Sequence, residues 1–317
     1  MPETVVVALG GNAITRPGEP GTIPQQFEHT AETLHHLRAL FRSRCRLVIT
    51  HGNGPQIGNI LIRVEEGERR VPRLPLDTCV SDSQGGMGYM IQRLACELFR
   101  REQIARTAVT VITQVLVNSA DPDFRHPTKP IGSFYSKEES DEQQREHPTW
   151  EMHEIAPSRF RRVVPSPHPI DILETEAIAT LVNAGVVTIA CGGGGIPVAW
   201  DDGRLVGVEG VVDKDLASSL LAKQIGADKL IILTSVDQAA LRYGTPDQQW
   251  LGTITTSDAR RYLAAGEFPP GSMGPKIEAA VDFVEHTGAE CIITSVERVE
   301  PALDGHAGTR IIKGPPC

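Results

Sequence analysis

The chain reads as an α/β protein, a three-layer αβα sandwich around a central, mainly parallel sheet. Short β-branched runs alternate with longer stretches of helical periodicity. Those runs are mostly apolar, as strands covered on both faces are. The 317 residues, 40% hydrophobic and 5% aromatic, supply core for two domains at ~150 residues each.

In chain order, residues 5–9, 47–50, 109–117, 186–191, 230–234 and 291–294 read as buried parallel strands. Between them, Leu34, Leu37, Leu40 and Phe41 recur at helical spacing. So do Met87, Met90, Ile91, Leu94 and Leu98, and later Ile277, Ala280, Val281 and Val284. Residues 118–162 break the alternation with prolines, charges and few apolar positions, and read as an excursion above the sheet. Residues 197–209 form a predicted hairpin turning at Asp202-Gly203, and residues 211–225 return to helix. A domain boundary is expected close by, dividing the chain into 1–212 and 213–317.

A formal charge of −9 excludes a general nucleic-acid or membrane surface, since both select basic patches. The longest apolar stretches, 108–117 and 186–191, fall short of the ~20 residues that cross a bilayer. Met1-Pro2-Glu3 leads straight into a strand, with no basic and apolar leader pattern. Cys45, Cys79, Cys96, Cys191, Cys291 and Cys317 show no two-residue spacing of a zinc or redox site, so idle thiols in a reducing cytoplasm are expected.

Chemistry gathers at glycine-rich loops after strands: Gly10-Gly11-Asn12, His51-Gly52-Asn53-Gly54-Pro55, Gly192-Gly193-Gly194-Gly195, and Gly85-Gly86 before Gly88. Such loops let backbone N–H groups approach an anion, and a helix behind them adds its positive end. Pro55 suits the first turn of that helix. Taken singly, each loop also reads as a tight turn. No Gly-x-x-x-x-Gly-Lys-Ser/Thr motif is present, and 52–58 misses the dinucleotide fingerprint by one residue.

Three lysines supply the charge: Lys129 among prolines, Lys214 between Asp213 and Asp215, and Lys276 opening a helix after Gly271-Ser272-Met273-Gly274-Pro275. Phosphoryl transfer needs positioning and charge neutralisation more than covalent help, so lysines aimed at the moving phosphate supply most of such a mechanism. Asp215 reads either as the group that orients them or as a helix cap. His51 reads either as a substrate contact or as a loop-orienting hydrogen-bond partner, and is assigned no catalytic role. His126, His147, His153 and His168 are assigned no metal role. Residues alone thus point to phosphoryl transfer onto a small anion.

Ordered segments now carry a resemblance: 6–13 (VVALGGNA), 50–58 (THGNGPQIG), 127–132 (PTKPIG), 161–167 (RRVVPSP), 192–197 (GGGGIP), 212–215 (VDKD) and 271–276 (GSMGPK). Over nearly its whole length the chain resembles the carbamate kinases of the amino-acid-kinase superfamily. That resemblance implies one continuous sheet in two lobes: an acceptor lobe, 1–212, with 118–162 as a protruding lid, and an ATP-binding lobe, 213–317. It implies a cytoplasmic homodimer that uses ATP or ADP, Mg²⁺, carbamate and carbamoyl phosphate. By the same likeness Gly10, Gly11, Asn12, Gly52, Asn53 and Lys129 hold the acceptor's oxygens, with Gly54, Gly193 and Gly194 in the same phosphate-binding loops. Lys214 and Lys276 stabilise the transferring phosphoryl and Asp215 orients them. Thr234, Asp237, Tyr243 and Met273 surround adenine.

The pattern departs at Ser235, where relatives carry an acid, at Pro157-Ser158-Arg159 and at Ser81-Asp82. An acetylglutamate-type kinase would place a lysine where Ala8 stands. A silent binding paralogue would have no need of all four of Lys129, Lys214, Asp215 and Lys276.

Overall fold

A computed structural model describes residues 2–16, 18–269 and 271–314; the Asn12 side chain and Cys317 lie outside the description. The strand Thr4–Leu9 explains the layering. Val6 and Ala8 join one apolar cluster with Val48, Leu230 and Ile232, whereas Val5, Val7 and Leu9 join another with Leu47, Ile49 and Leu233. A strand apolar on both faces, with its side chains alternating between them, needs helices on both sides. Helices Thr175–Asn183, Lys214–Gln224 and Met273–Thr287 send Ile178, Leu221 and Phe283 into the first cluster. Helices Ile23–His36, Arg38–Arg42 and Leu76–Arg101 send Leu34, Phe41 and Ile91 into the second. This is the expected three-layer sandwich.

The central sheet has eight strands, ordered Thr253–Thr255, Thr309–Ile312, Glu290–Ser295, Lys229–Thr234, Thr4–Leu9, Arg46–His51, Val187–Ile189 and Ala108–Thr110. Only the pairing of Glu290–Ser295 with Thr309–Ile312 is antiparallel. Leu9 lies opposite His51, and Ala8 opposite Ile232. Their loops therefore leave from one edge, where ligands of open α/β sheets collect. A second sheet, of four strands, orders Arg204–Gly207, Ile196–Asp201, Gln114–Val117 and Pro169–Ile172; it contains the expected hairpin.

Two local expectations need correction. Residues 109–117 are not one strand, because the chain leaves the central sheet after Thr110 and enters the four-stranded sheet at Gln114. At the break, the buried Gln84 amide accepts from Thr113 N–H at 2.8 Å and donates to the Thr113 carbonyl at 3.1 Å, standing in for a neighbouring strand. Gly85, Gly86 and Gly88 follow no strand and sit inside the helix Leu76–Arg101. A Cβ on Gly88 would lie 2.2 Å from Thr110 Cγ2, so this glycine serves close helix–strand packing. The stripe from Leu34 to Phe41 is shared by two helices that part at the buried Leu37.

The excursion carries its own antiparallel sheet of Lys129–Tyr135, Arg159–Val164 and Glu151–Ala156, with the helix Lys137–Glu146 started by a Ser136/Glu139 capping box. Among the described residues no helix is long and apolar enough to cross a membrane, and the cysteines are free, four of them buried and Cys96 exposed.

Candidate active site

The loops after the parallel strands converge. Gly10 follows Thr4–Leu9 directly beside the Leu233 carbonyl, where any Cβ would come within 2.5 Å. Gly52 N–H donates to the Leu9 carbonyl at 3.2 Å. A Cβ on Gly52 would lie 3.2 Å from Lys214 Cδ, so the absence of a side chain there lets the lysine stem pass. Gly193 and Gly194 have φ of +67° and +92°; Cβ atoms there would fall 2.2 Å from Asn53 Nδ2 and 2.1 Å from the Val212 carbonyl oxygen. Glycine is required twice over at these two positions, by conformation and by space.

His51 is buried and its Nδ1–H donates to the Gly52 carbonyl at 3.1 Å, a bond that orients the loop. Burial lowers its pKa to about 4, partly opposed by that hydrogen bond, so the ring is neutral at ordinary pH. Asn53 is the N-cap residue of the helix Gly54–Gly67, with Pro55 in its first turn, and donates to Ser83 Oγ at 2.8 Å. Gly54 meets nothing within 4 Å of where its Cβ would be.

The cations are organised by two aspartates. Asp213 caps the helix Lys214–Gln224 by accepting from Asp215 N–H at 2.9 Å. Asp215, 2% exposed, accepts from Lys214 Nζ on Oδ1 and from Lys276 Nζ on Oδ2, the latter at 3.1 Å. Burial by itself would raise the Asp215 pKa. The charges of Lys214 and Lys276, and their hydrogen bonds, outweigh burial and hold the carboxyl below the usual range. Asp215 is therefore an anion that fixes two ammonium groups, and its part in the helix is beyond that of a cap. Lys276 stands in the first turn of Met273–Thr287 and also donates to the Ser272 carbonyl at 3.2 Å. Lys129, from the excursion, reaches the second oxygen of Asp213 at 3.2 Å.

Lys214 and Lys276 line a cavity of about 210 Å³ together with Gly10, Gly11, Thr234, Ser235, Gly271 and Ser272. Its volume lies below the ~300–1,000 Å³ of sites that swallow a drug-sized ligand, and suits phosphoryl groups. Two ammonium groups and glycine backbone facing one small space make it an anion site.

Some expected residues stand apart. Asp237 accepts from Ser295 Oγ at 2.6 Å, with Arg298 Nε at 4.0 Å. Tyr243 is exposed and meets Trp250 edge-to-face at 6.3 Å. Met273 packs against the core. None of the three lines the cavity, whereas Thr234 does. Asn12 lies in the single turn Gly11–Ala13, with its side chain outside the description. Sequence reasoning missed Gly271, Ser272 and Ser235 as lining residues, Gln84 as the brace of the glycine loop through its 3.0 Å bond to the Gly192 carbonyl, and Asp213 as the partner of Lys129.

A parallel sheet with glycine loops and paired lysines at its carboxyl edge defines an α/β phosphotransferase. The model of the amino acid kinase family matches residues 3–295. Carbamate kinase of Pyrococcus horikoshii is 42% identical over 313 residues, covering 98% of this chain and 99% of its own. The carbamate kinase-like protein YahI of Escherichia coli is 45% identical over 316 residues, covering 99% and 100%. Carbamate kinase from Giardia lamblia bound to AMP-PNP superimposes with a TM-score of 0.94 at 39% identity, covering 99% of each chain. The chain belongs to the amino acid kinase family, and its full-length relatives include carbamate kinases and a carbamate kinase-like protein.

Proposed function

We propose that the chain catalyses reversible phosphoryl transfer between ATP and carbamate, giving ADP and carbamoyl phosphate. The carrying observation is the pair Lys214 and Lys276, fixed on the two oxygens of one buried carboxylate and facing a glycine-lined cavity. A carbamate oxygen attacks the terminal phosphorus while the bond from that phosphorus to the ADP oxygen breaks. The attacking oxygen is already anionic, so no general base is required. Lys214 and Lys276 neutralise the charge on the moving phosphoryl, and Asp215 keeps both in place. At ~4 Å one such pair is worth about 4 kcal/mol at an effective dielectric near 20.

In this reading Gly10, Gly11, Asn12, Gly52, Asn53, Gly54, Gly193, Gly194 and Lys129 hold the acceptor side. Thr234, Asp237, Tyr243 and Met273 serve the nucleotide. The lobes divide at 212/213, with 118–162 over the site. Mg²⁺ bound with the nucleotide would supply neutralisation of its phosphate charge. The two carboxylates at the site, Asp213 and Asp215, are engaged by lysines. The working form is a cytoplasmic homodimer.

The test is ATP formation from ADP and carbamoyl phosphate, run beside ATP consumption with N-acetylglutamate. Activity is expected with the first alone; activity only with the second would sink the reading. Lys214→Ala and Lys276→Ala are expected to lower turnover by orders of magnitude while circular dichroism stays unchanged.

A further inference from the structure

Lys129 is one of two cations that the excursion extends toward the 209–213 stretch. In the excursion's sheet Lys129 lies opposite Val164, and Ile131 opposite Arg162, so all four side chains share a face. Arg162 is 8% exposed, and its Nη2 donates to Glu209 Oε2 at 2.8 Å. Its guanidinium also covers the Trp150 ring at 4.3 Å. Of the three tryptophans, Trp150 alone is buried. Its ring also meets His147, stacked at 4.1 Å, and Arg73, at 4.5 Å, from the segment between the helices Gly54–Gly67 and Leu76–Arg101.

Glu209 has a further partner. Its Oε1 accepts from Leu76 N–H at 2.8 Å, at the start of a helix that has no side-chain cap. The carboxylate thus meets one of that helix's free N–H groups and its positive end. Two residues on, Val211 N–H donates to the Pro165 carbonyl at 2.9 Å, and two further on Asp213 accepts from Lys129. Three joints therefore zip residues 209–213 to the excursion and to the segment just after it, and that stretch runs directly into Lys214 and Asp215.

The joints differ in kind. The Lys129–Asp213 pair is open to solvent on the lysine side, 38% exposed, and is of the sort another anion displaces at small cost. Arg162 is clamped between a carboxylate and an aromatic face. We propose that the Arg162–Glu209 pair, braced on Trp150, is the positioning joint that holds Lys129 over the site while Lys129 exchanges Asp213 for the oxygens of the phosphoryl acceptor. This rests on the reading of Lys129 as an acceptor-binding cation.

Steady-state constants for ATP synthesis from ADP and carbamoyl phosphate test it in Arg162→Met, Arg162→Lys, Glu209→Gln, Lys129→Met and the double variant Arg162→Met/Lys129→Met. Arg162→Met is expected to raise KM for carbamoyl phosphate about tenfold with KM for ADP unchanged, and Arg162→Lys to recover part of the loss. In the double variant the Arg162 penalty should vanish, because the lysine it positions is gone. Glu209→Gln reads the same pair from its more exposed partner should Arg162→Met fail to fold, and should show the same KM pattern. A penalty that adds in full to that of Lys129→Met, or that falls equally on both substrates, would overturn the proposal alone. Unchanged constants in Lys129→Met would remove the reading of Lys129, and the proposal with it.

Discussion

The two cationic walls of the site are built on opposite plans. Lys214 and Lys276 share a carboxylate that is 2% exposed, and their side chains are 13% and 14% exposed. Behind them stands a glycine floor that admits no added methyl at Gly10, Gly193 or Gly194. Lys129 comes from a separate small sheet, is 38% exposed, and leans on Asp213, a residue already engaged as a helix cap. The first wall is fixed before any ligand arrives, as preorganised transition-state stabilisation requires. The second is held by an exchangeable contact. Under the proposed function, the fixed wall serves the group that moves, and the adjustable one the substrate that enters and leaves.

Asp215→Asn should break the fixed wall outright. It removes the only charge bound by both lysines and leaves two ammonium groups with one shared carbonyl oxygen. Turnover is expected to fall at least about a hundredfold, the scale of losing one preorganised electrostatic element. The same change at Asp213 should not approach this. Comparable losses in both variants would erase the distinction between the walls.

A second effect belongs to the fixed wall and reads out in stability. His51 has a pKa of about 4 in the fold against 6.5 when unfolded. Between those values the unfolded chain binds the extra proton, so stability rises with pH there and is lost as pH falls from 6.5 towards 4. The difference amounts to about 3 kcal/mol. Asp215, with its pKa lowered below 3.8, keeps its contribution throughout that window and loses it only at lower pH. Denaturant unfolding at pH 7 and at pH 4.5 should therefore show a loss that shrinks in His51→Asn. An equal loss in both proteins would place the titration elsewhere.

What the sequence revealed of this contrast follows from how local each feature is. The fixed wall was legible because a buried, β-branched strand leading into glycine is a local pattern, seen before Gly10, Gly52 and Gly192. The lysine at a helix start was legible at Lys276 for the same reason. Local pattern misled at Gly85-Gly86, where glycine sits in a helix, and at 109–117, where the break depends on the Gln84 amide arriving from 29 residues away. The pairing of Lys129 with Asp213 spans 84 positions and leaves no local trace beyond the Asp-Lys-Asp triplet. Arg162 lay in plain view in the 161–167 segment, yet nothing in that segment says it meets Glu209. Asp237, Tyr243 and Met273 came from resemblance alone, and they are not among the residues lining the cavity.

The smallest expected effect separates the walls most finely. Asp213 has two duties, capping the helix Lys214–Gln224 through Asp215 N–H and holding Lys129. Asparagine caps nearly as well as aspartate, so Asp213→Asn should leave the unfolding midpoint almost unmoved. What it removes is the negative charge that competes with an incoming anionic acceptor for Lys129. Half-exposed ion pairs are worth about 0–1 kcal/mol, so KM for carbamoyl phosphate should fall about two- to threefold, with turnover kept. The gain should shrink at high salt, which screens the competing charge in the parent protein as well. A rise in that KM would mean that Asp213 aims Lys129 at the acceptor rather than competing with it, and the second wall would then be as fixed as the first.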